Sequence, residues 1–223
     1  MADTRRRLTA GDTRQRLMAG AIAALRTHGI AGTSARVIAT AAGANQALIF
    51  YHFGSVHELV SAACEQATRE RLTHYRGRFD EVTTLRELLE VGRALHAEEQ
   101  QLGHVAVLAQ LLAGAQGDPH LATASGVSLR LWITEIERVL TRVLADSPIA
   151  DALDVPGLAR AISVGFIGME LYEAVDTDGA AKALAALDQL GAMVELIEDL
   201  GPISRRAVRS RLGRGRRPRP GNV

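Results

Sequence analysis

A chain of 223 residues, 47% of them apolar and only 4% aromatic, can bury a sizeable core and is not disordered throughout. Its net charge of +1 divides into +5 over residues 1–57 (seven Arg against Asp3 and Asp12), −12 over 58–201 (ten Arg and Lys182 against 23 acids) and +8 over 202–223 (eight Arg), which localises polyanion binding to the ends. The single cysteine, Cys64, excludes an intrachain disulfide, and no apolar stretch suits a signal peptide or a membrane span, so we expect a cytoplasmic protein without a membrane partner.

Ala, Leu and Arg dominate and β-branched runs are few, which predicts an all-α protein. After a basic arm (1–10), a first helix is expected from about Thr13 to His28, with Leu17, Ala21, Ala24 and Leu25 on one face and Gly29 as its stop. Thr33 or Ser34 caps a short helix holding Val37, Ile38 and Ala41, and Gly43 breaks it. A third helix, about Asn45 to Phe53, offers Ile49, Phe50 and Phe53 for packing. Three helices in so short a span, the last two separated by a glycine turn, form a helix-turn-helix pattern. Longer helices are then expected at about 57–79, 84–99, 103–116, 119–146, 156–176 and 178–200, about nine in all. Thr83, Pro119, Pro156 and Asp178 serve as caps or first-turn residues. The breaks fall at Gly117-Asp118-Pro119 and Ser147-Pro148, and the Arg-, Gly- and Pro-rich segment 202–223 is expected to be disordered.

Within the helix-turn-helix, Ala39 is small where two helices cross, Gly43 permits the turn, and Val37, Ile38, Ile49 and Phe53 supply a miniature core. Ser34, Arg36, Asn45, Gln46, Ala47, Leu48, Tyr51 and His52 are left outward. This mixture of hydrogen-bonding and apolar groups suits base edges and thymine methyls in a major groove.

The stretch from Thr13 to Leu59 resembles the DNA-binding domain of the TetR (tetracycline repressor) family. The residues that carry the resemblance are Thr13-Arg14, Thr33-Ser34, Ile38-Ala39-Thr40-Ala41-Ala42-Gly43 and Phe50-Tyr51-His52-Phe53. The resemblance implies that Thr33 and Ser34 hold phosphate at the start of the second helix. It implies further that Arg36, Gln46, Ala47 and Leu48 face the groove, and that Tyr51 and His52 touch the DNA backbone. The sequence departs from the pattern at Phe50, where tyrosine is usual, and at Val56, where lysine is usual. Each change removes a phosphate contact for which Arg5 to Arg7 or the tail compensate.

On these grounds the chain divides into the arm (1–10), the DNA-binding domain (11–71, motif 34–53), a larger helical ligand-binding and dimerisation domain (72–201) and the tail (202–223). The eighth helix carries two apolar stripes, Leu158, Ile162, Phe166 and Met169, and Ala161, Val164, Gly168 and Leu171. The ninth is apolar on more than one side, with Leu187, Leu190, Val194 and Ile197 on one face. Helices apolar on two sides need a partner, so a homodimer is expected through the second stripe and that face of the ninth helix, as in the resembled family.

The resemblance also implies a ligand chamber within helices five to seven, for which His96, His104, Gln110, Trp132 and Tyr172 are candidates. The low polarity of 102–115 favours a mainly apolar ligand. No cofactor, metal or catalytic residue is expected. There is no glycine-rich phosphate loop, His57-Glu58 meets Ser61 where a second zinc-binding histidine would stand, and Gly126-Val127-Ser128-Leu129 ends in Arg130 instead of the hydrolase glycine. The expected function is a DNA-binding transcriptional repressor, with double-stranded operator DNA and a small-molecule effector as partners. An architectural DNA-binding protein is the alternative, and a small all-α enzyme a more distant one.

Overall fold

The computed structural model describes residues 10–145, 147, 150 and 153–198, and their side chains other than those of 105, 187, 188 and 190–198. Among these residues there are nine α-helices and no strand: α1 (Ala10–Gly32), α2 (Ala35–Ala42), α3 (Ala47–Phe53), α4 (Val56–Glu81), α5 (Leu85–Gln101), α6 (His104–Gly114), α7 (Pro119–Val143), α8 (Val155–Glu173) and α9 (Thr177–Glu198). The all-α expectation holds. The arm at 1–9 and the tail beyond Glu198 lie outside the described residues.

The chain divides into two compact units. One takes the described residues up to Thr73 together with Glu98–Leu131, and the other takes His74–Ala97 and the described residues from Trp132 onward. The first therefore contains the helix-turn-helix plus α6 and the first half of α7, a grouping that does not follow chain order. Its core is Leu17, Ala21, Ala24 and Leu25 from α1, Ile38 from α2, Ile49 from α3 and Leu59 from α4, joined by Val107, Leu111 and Leu121. Each fully buried aliphatic side chain there contributes about 1.5–3 kcal/mol of transfer free energy. The second unit is centred on Tyr75, Phe79, Leu88, Leu95, Val139, Leu140, Leu144 and Ala159. In that unit Arg142 ties α7 to the end of α4, donating from Nη2 to the carbonyls of Phe79 (2.6 Å) and Val82 (2.9 Å).

Local chemistry sets the ends of the helices, and one expectation changes. Gly29 (φ 68°, ψ 178°) is non-helical and breaks the regular path of α1, with a short further turn to Gly32. The cap of α5 is Thr84, not Thr83: Thr84 Oγ1 accepts the Glu87 N–H (3.1 Å), and Glu87 Oε2 accepts the N–H groups of Thr83 (2.6 Å) and Thr84 (3.1 Å). This reciprocal box satisfies several otherwise orphaned donors and, mainly through the Thr83 N–H, holds the Glu87 carboxyl below the usual carboxylate range. Asp154 caps α8 by accepting from the Gly157 N–H (3.1 Å), with Pro156 in the first turn. Asp176 accepts from the Gly179 N–H (2.8 Å) at the start of α9.

Candidate nucleic-acid interface

The helix-turn-helix is built from α2 and α3 on the scaffold of α1. Ser34 is extended (φ −128°, ψ 163°) and its hydroxyl accepts from the Val37 N–H at 3.4 Å, opening α2. Past the end of α2, Gly43 is left-handed (φ 57°, ψ 41°). The Gly43 N–H donates to Thr40 O (3.1 Å) and the Ala44 N–H to Ala39 O (2.9 Å), a Schellman closure that the glycine makes sterically free. The two carbonyls left over at this corner, Ala42 O and Gly43 O, each accept from Arg16 Nη2 at 2.6 Å. Asn45 Oδ1 accepts the Ala47 N–H (2.8 Å) and starts α3, and Gly54 (φ 80°) ends it with its N–H on Phe50 O (3.0 Å).

Packing decides which side chains face out. Ile38, Ala39 and Ala42 on α2 and Ile49 on α3 are buried, while Val37 and Phe53 are half-buried against them. Ser34, Arg36, Asn45, Gln46, Ala47 and Tyr51 are exposed, Tyr51 at 81%. Thr33 and His52 are half-buried, and the Thr33 hydroxyl donates to Gly29 O (2.7 Å). Two expectations are corrected. Leu48 is not fully outward but half-buried, because it packs on the core of the first unit beside Ile49. Phe50, expected to pack, is 49% exposed, because Ile49 takes the inward register of this short helix. Gly20 of α1 comes so close to α2 that a Cβ there would stand 2.8 Å from Ala42 Cβ.

Two arginines have roles that sequence reasoning missed. Arg16 holds the turn as described. Arg14 donates from Nη1 to His52 O (3.1 Å) and lies over the Phe53 ring, 4.3 Å from its centroid. The signal was present, since both follow Thr13 in the first turns of α1, but their carbonyl partners are distant in sequence.

Residues 17–63, the stretch that builds this surface, match the family model described as bacterial regulatory proteins, tetR family. The DNA-binding domain belongs to the TetR family. No curated protein matches the sequence. Among solved structures, the chain is similar to one described as a TetR-family transcriptional regulator from Rhodococcus sp. (22% identity, 81% of this chain and 99% of that one, TM-score 0.67). It is similar also to the fatty acid degradation regulator FadR from Bacillus halodurans (16% identity, 80% and 93%, TM-score 0.61). A third is the multidrug binding protein EbrR complexed with imidazole (24% identity, 78% and 93%, TM-score 0.56). These likenesses extend the TetR-type fold beyond the matched domain into the helical body.

The candidate effector residues fall in both units. In the first, His104 Nδ1 lies 3.0 Å from Glu99 Oε2, and Gln110 Oε1 is buried with no hydrogen-bond partner among the described residues, 3.0 Å from where a Cβ on Gly29 would stand. In the second, His96 lies between Glu170 Oε1 (3.4 Å from Nδ1) and Glu173 Oε2 (beside Nε2), with Phe166 edge-on at 5.7 Å. Trp132 stands 6.5 Å from the rings of both Tyr75 and Phe79. Tyr172 is 47% exposed and donates its hydroxyl to Asp176 Oδ2 (2.7 Å), which raises the phenol above its ordinary pKa.

On α8, Ala161, Val164, Gly168 and Leu171 are all exposed, Val164 at 67% and Leu171 at 44%, while Leu158, Ile162, Phe166 and Met169 are half-buried. The side chains of Leu187, Leu190, Val194 and Ile197 lie outside the described residues. Among the described residues there is no group of three or more His, Cys, Asp or Glu able to hold a metal ion, and no helix is long and apolar enough to cross a membrane.

Proposed function

We propose that the protein is a dimeric cytoplasmic repressor that grips a pseudo-palindromic operator and is released by a small, mainly apolar ligand. The observation that carries this reading is the outward surface of the TetR-type domain. Gln46, Ala47 and Arg36 stand exposed on helices whose inner faces are pinned by Ile38 and Ile49. Arg and Gln are the natural bidentate partners of guanine and adenine, and Ala47 suits a thymine methyl. Thr33 and Ser34 bring hydroxyls to the start of α2, where the helix N-terminus favours phosphate, although the Thr33 N–H itself donates to Ile30 O (3.2 Å). The carbonyl of Asn45 is used by the α3 cap, so its amide NH2 is the part offered to DNA.

The exposed stripe of α8 supports the dimer. Apolar side chains at three- and four-residue spacing (Ala161, Val164, Gly168, Leu171), with Tyr172 and Val175 continuing the face, favour a second copy of the same surface. Response to a small molecule is favoured by the apolar character of α6, where Val107 and Leu111 are buried. It is favoured too by the structural relatives, one of which carries imidazole. His104 and Gln110 of the first unit are the residues we assign to the ligand's surroundings, whereas His96 and Trp132 belong to the second unit and Tyr172 goes with the exposed stripe.

Selection of duplexes from a random library by the full chain, followed by footprinting, tests the reading. Two half-sites about one helical turn apart or somewhat more, related by a two-fold axis, are expected. A screen of apolar small molecules for release of the selected duplex then tests the effector. Broad, unselective coverage of DNA would refute regulation in favour of an architectural role.

A further inference from the structure

We propose that Arg14 of α1 is a phosphate-binding residue of the DNA surface, set beside the last turn of the recognition helix by the contacts that hold that turn. The proposal rests on the reading of α3 as the groove-facing helix. Seven residues rise about 10 Å. Such a helix, lying in a major groove about 12 Å wide, has the phosphates of the groove walls within a side-chain length of its ends. The C-terminal end of α3 presents Tyr51, 81% exposed, with its ring 4.9 Å from the His52 ring in an edge-on pair. Arg14 reaches this turn from another helix, through the His52 carbonyl (3.1 Å) and the Phe53 ring (4.3 Å).

Those two contacts use one N–H and one face of the guanidinium. The group has five N–H donors in a rigid fork, so the others remain to be satisfied. Arg14 is exposed, and no carboxylate pairs with it among the described residues. Arg16 is the contrasting case: half-buried, with its Nη2 taken by two carbonyls of the turn. A stacked and tethered guanidinium loses little further freedom when it binds an anion, and its fork matches two phosphate oxygens. At this corner of a DNA-binding surface the anion is a backbone phosphate.

The test uses the full chain and two duplexes of about 30 base pairs, one of mixed sequence and one selected by the wild type, titrated from about 50 to 200 mM salt. A dimer that loses two such contacts should show a salt slope shallower by about 1.8, equivalent to roughly 60-fold weaker binding at 0.1 M salt if the extrapolated affinity at 1 M is unchanged. Arg14→Ala and Arg14→Gln should both show this on both duplexes, Arg14→Lys should restore most of the slope, and the selected consensus should not change. Weaker binding with an unaltered slope would make Arg14 only a support for α3, and unaltered binding would give it no role. Either result overturns the proposal. The comparison of Arg14→Lys with Arg14→Gln decides the matter even if the alanine variant folds poorly. If the wild type selects no sequence, the groove-facing reading of α3 has failed. If it selects one and the slopes are equal, only Arg14 has been misassigned.

Discussion

Gly20 lies in the middle of α1, where glycine costs a helix about 0.8–1.0 kcal/mol relative to alanine. By propensity alone, Gly20→Ala should stabilise the protein by about 1 kcal/mol. Tertiary packing opposes that gain. A Cβ at residue 20 would stand 2.8 Å from Ala42 Cβ, 2.9 Å from Ala42 N and 3.0 Å from Ile38 O. Two of these three are backbone atoms of α2, which cannot rotate out of the way, so α2 must shift as a body. Overpacking of this kind costs about 1–3 kcal/mol, which exceeds the propensity gain and leaves a net loss of about 1 kcal/mol. Because α2 carries Ser34 and Arg36 and positions α3, its displacement should also weaken DNA binding. Urea unfolding followed by circular dichroism should show a lower midpoint at unchanged slope, with Gly20→Val lower still. Adding Ala42→Gly removes only the Cβ–Cβ clash, so it should recover part of the loss. A midpoint that rises in Gly20→Ala by the amount propensity predicts would refute the tight crossing.

Arg36→Ala and Gln46→Ala should each cost about 1–3 kcal/mol in discrimination between the selected duplex and a mismatched one, with thermal stability unchanged because both side chains are exposed. Unchanged base preference in the double variant would remove them from the recognition surface. Gly168→Arg places a long charged side chain on the exposed stripe of α8 and should convert a dimer to a monomer in sedimentation without loss of helicity. A monomeric wild type, or an unaltered dimer in the variant, would put the interface elsewhere. Burial pushes the Cys64 thiol from 9.0 up to about 11, against a smaller opposing pull from the Arg71 charge. The folded chain thus keeps a proton that the unfolded chain releases. Stability from this source is complete below pH 9 and is lost as pH rises towards 11, by at most roughly 2–3 kcal/mol. Unfolding measured across that range should be less pH-dependent in Cys64→Ala, and equal slopes would show that the thiol is not desolvated.

Much of the fold was legible because local signals agreed with one another. The periodicity of Leu17, Ala21, Ala24 and Leu25, the Gly43 turn and the Pro119 and Pro156 starts each name a helix or its end through backbone chemistry that acts over a few residues. The same holds for the exposed stripe of α8, whose spacing alone separates it from the half-buried Leu158, Ile162, Phe166 and Met169. The groove-facing positions were legible for a different reason: the run of residues around Gly43 resembles a known domain closely enough to assign positions in register.

What sequence left open depends on which distant atoms meet. Leu48 and Phe50 are both apolar and adjacent to Ile49, and nothing local says that Leu48 leans on the core while Phe50 stays in solvent. Gly20 looks like an ordinary weak point of a helix until Ala42 is placed against it. Arg14 and Arg16 count equally towards the basic charge of the head. Only the folded chain shows that one guanidinium is taken by the turn carbonyls while the other keeps donors to spare beside α3. Helix formation is decided by neighbours within about four residues, so the sequence determines it. The use of a side chain is decided by contacts 26 to 38 residues away along the chain, as for Arg16 with Ala42 and Arg14 with His52, and these exist only once packing has brought the helices together.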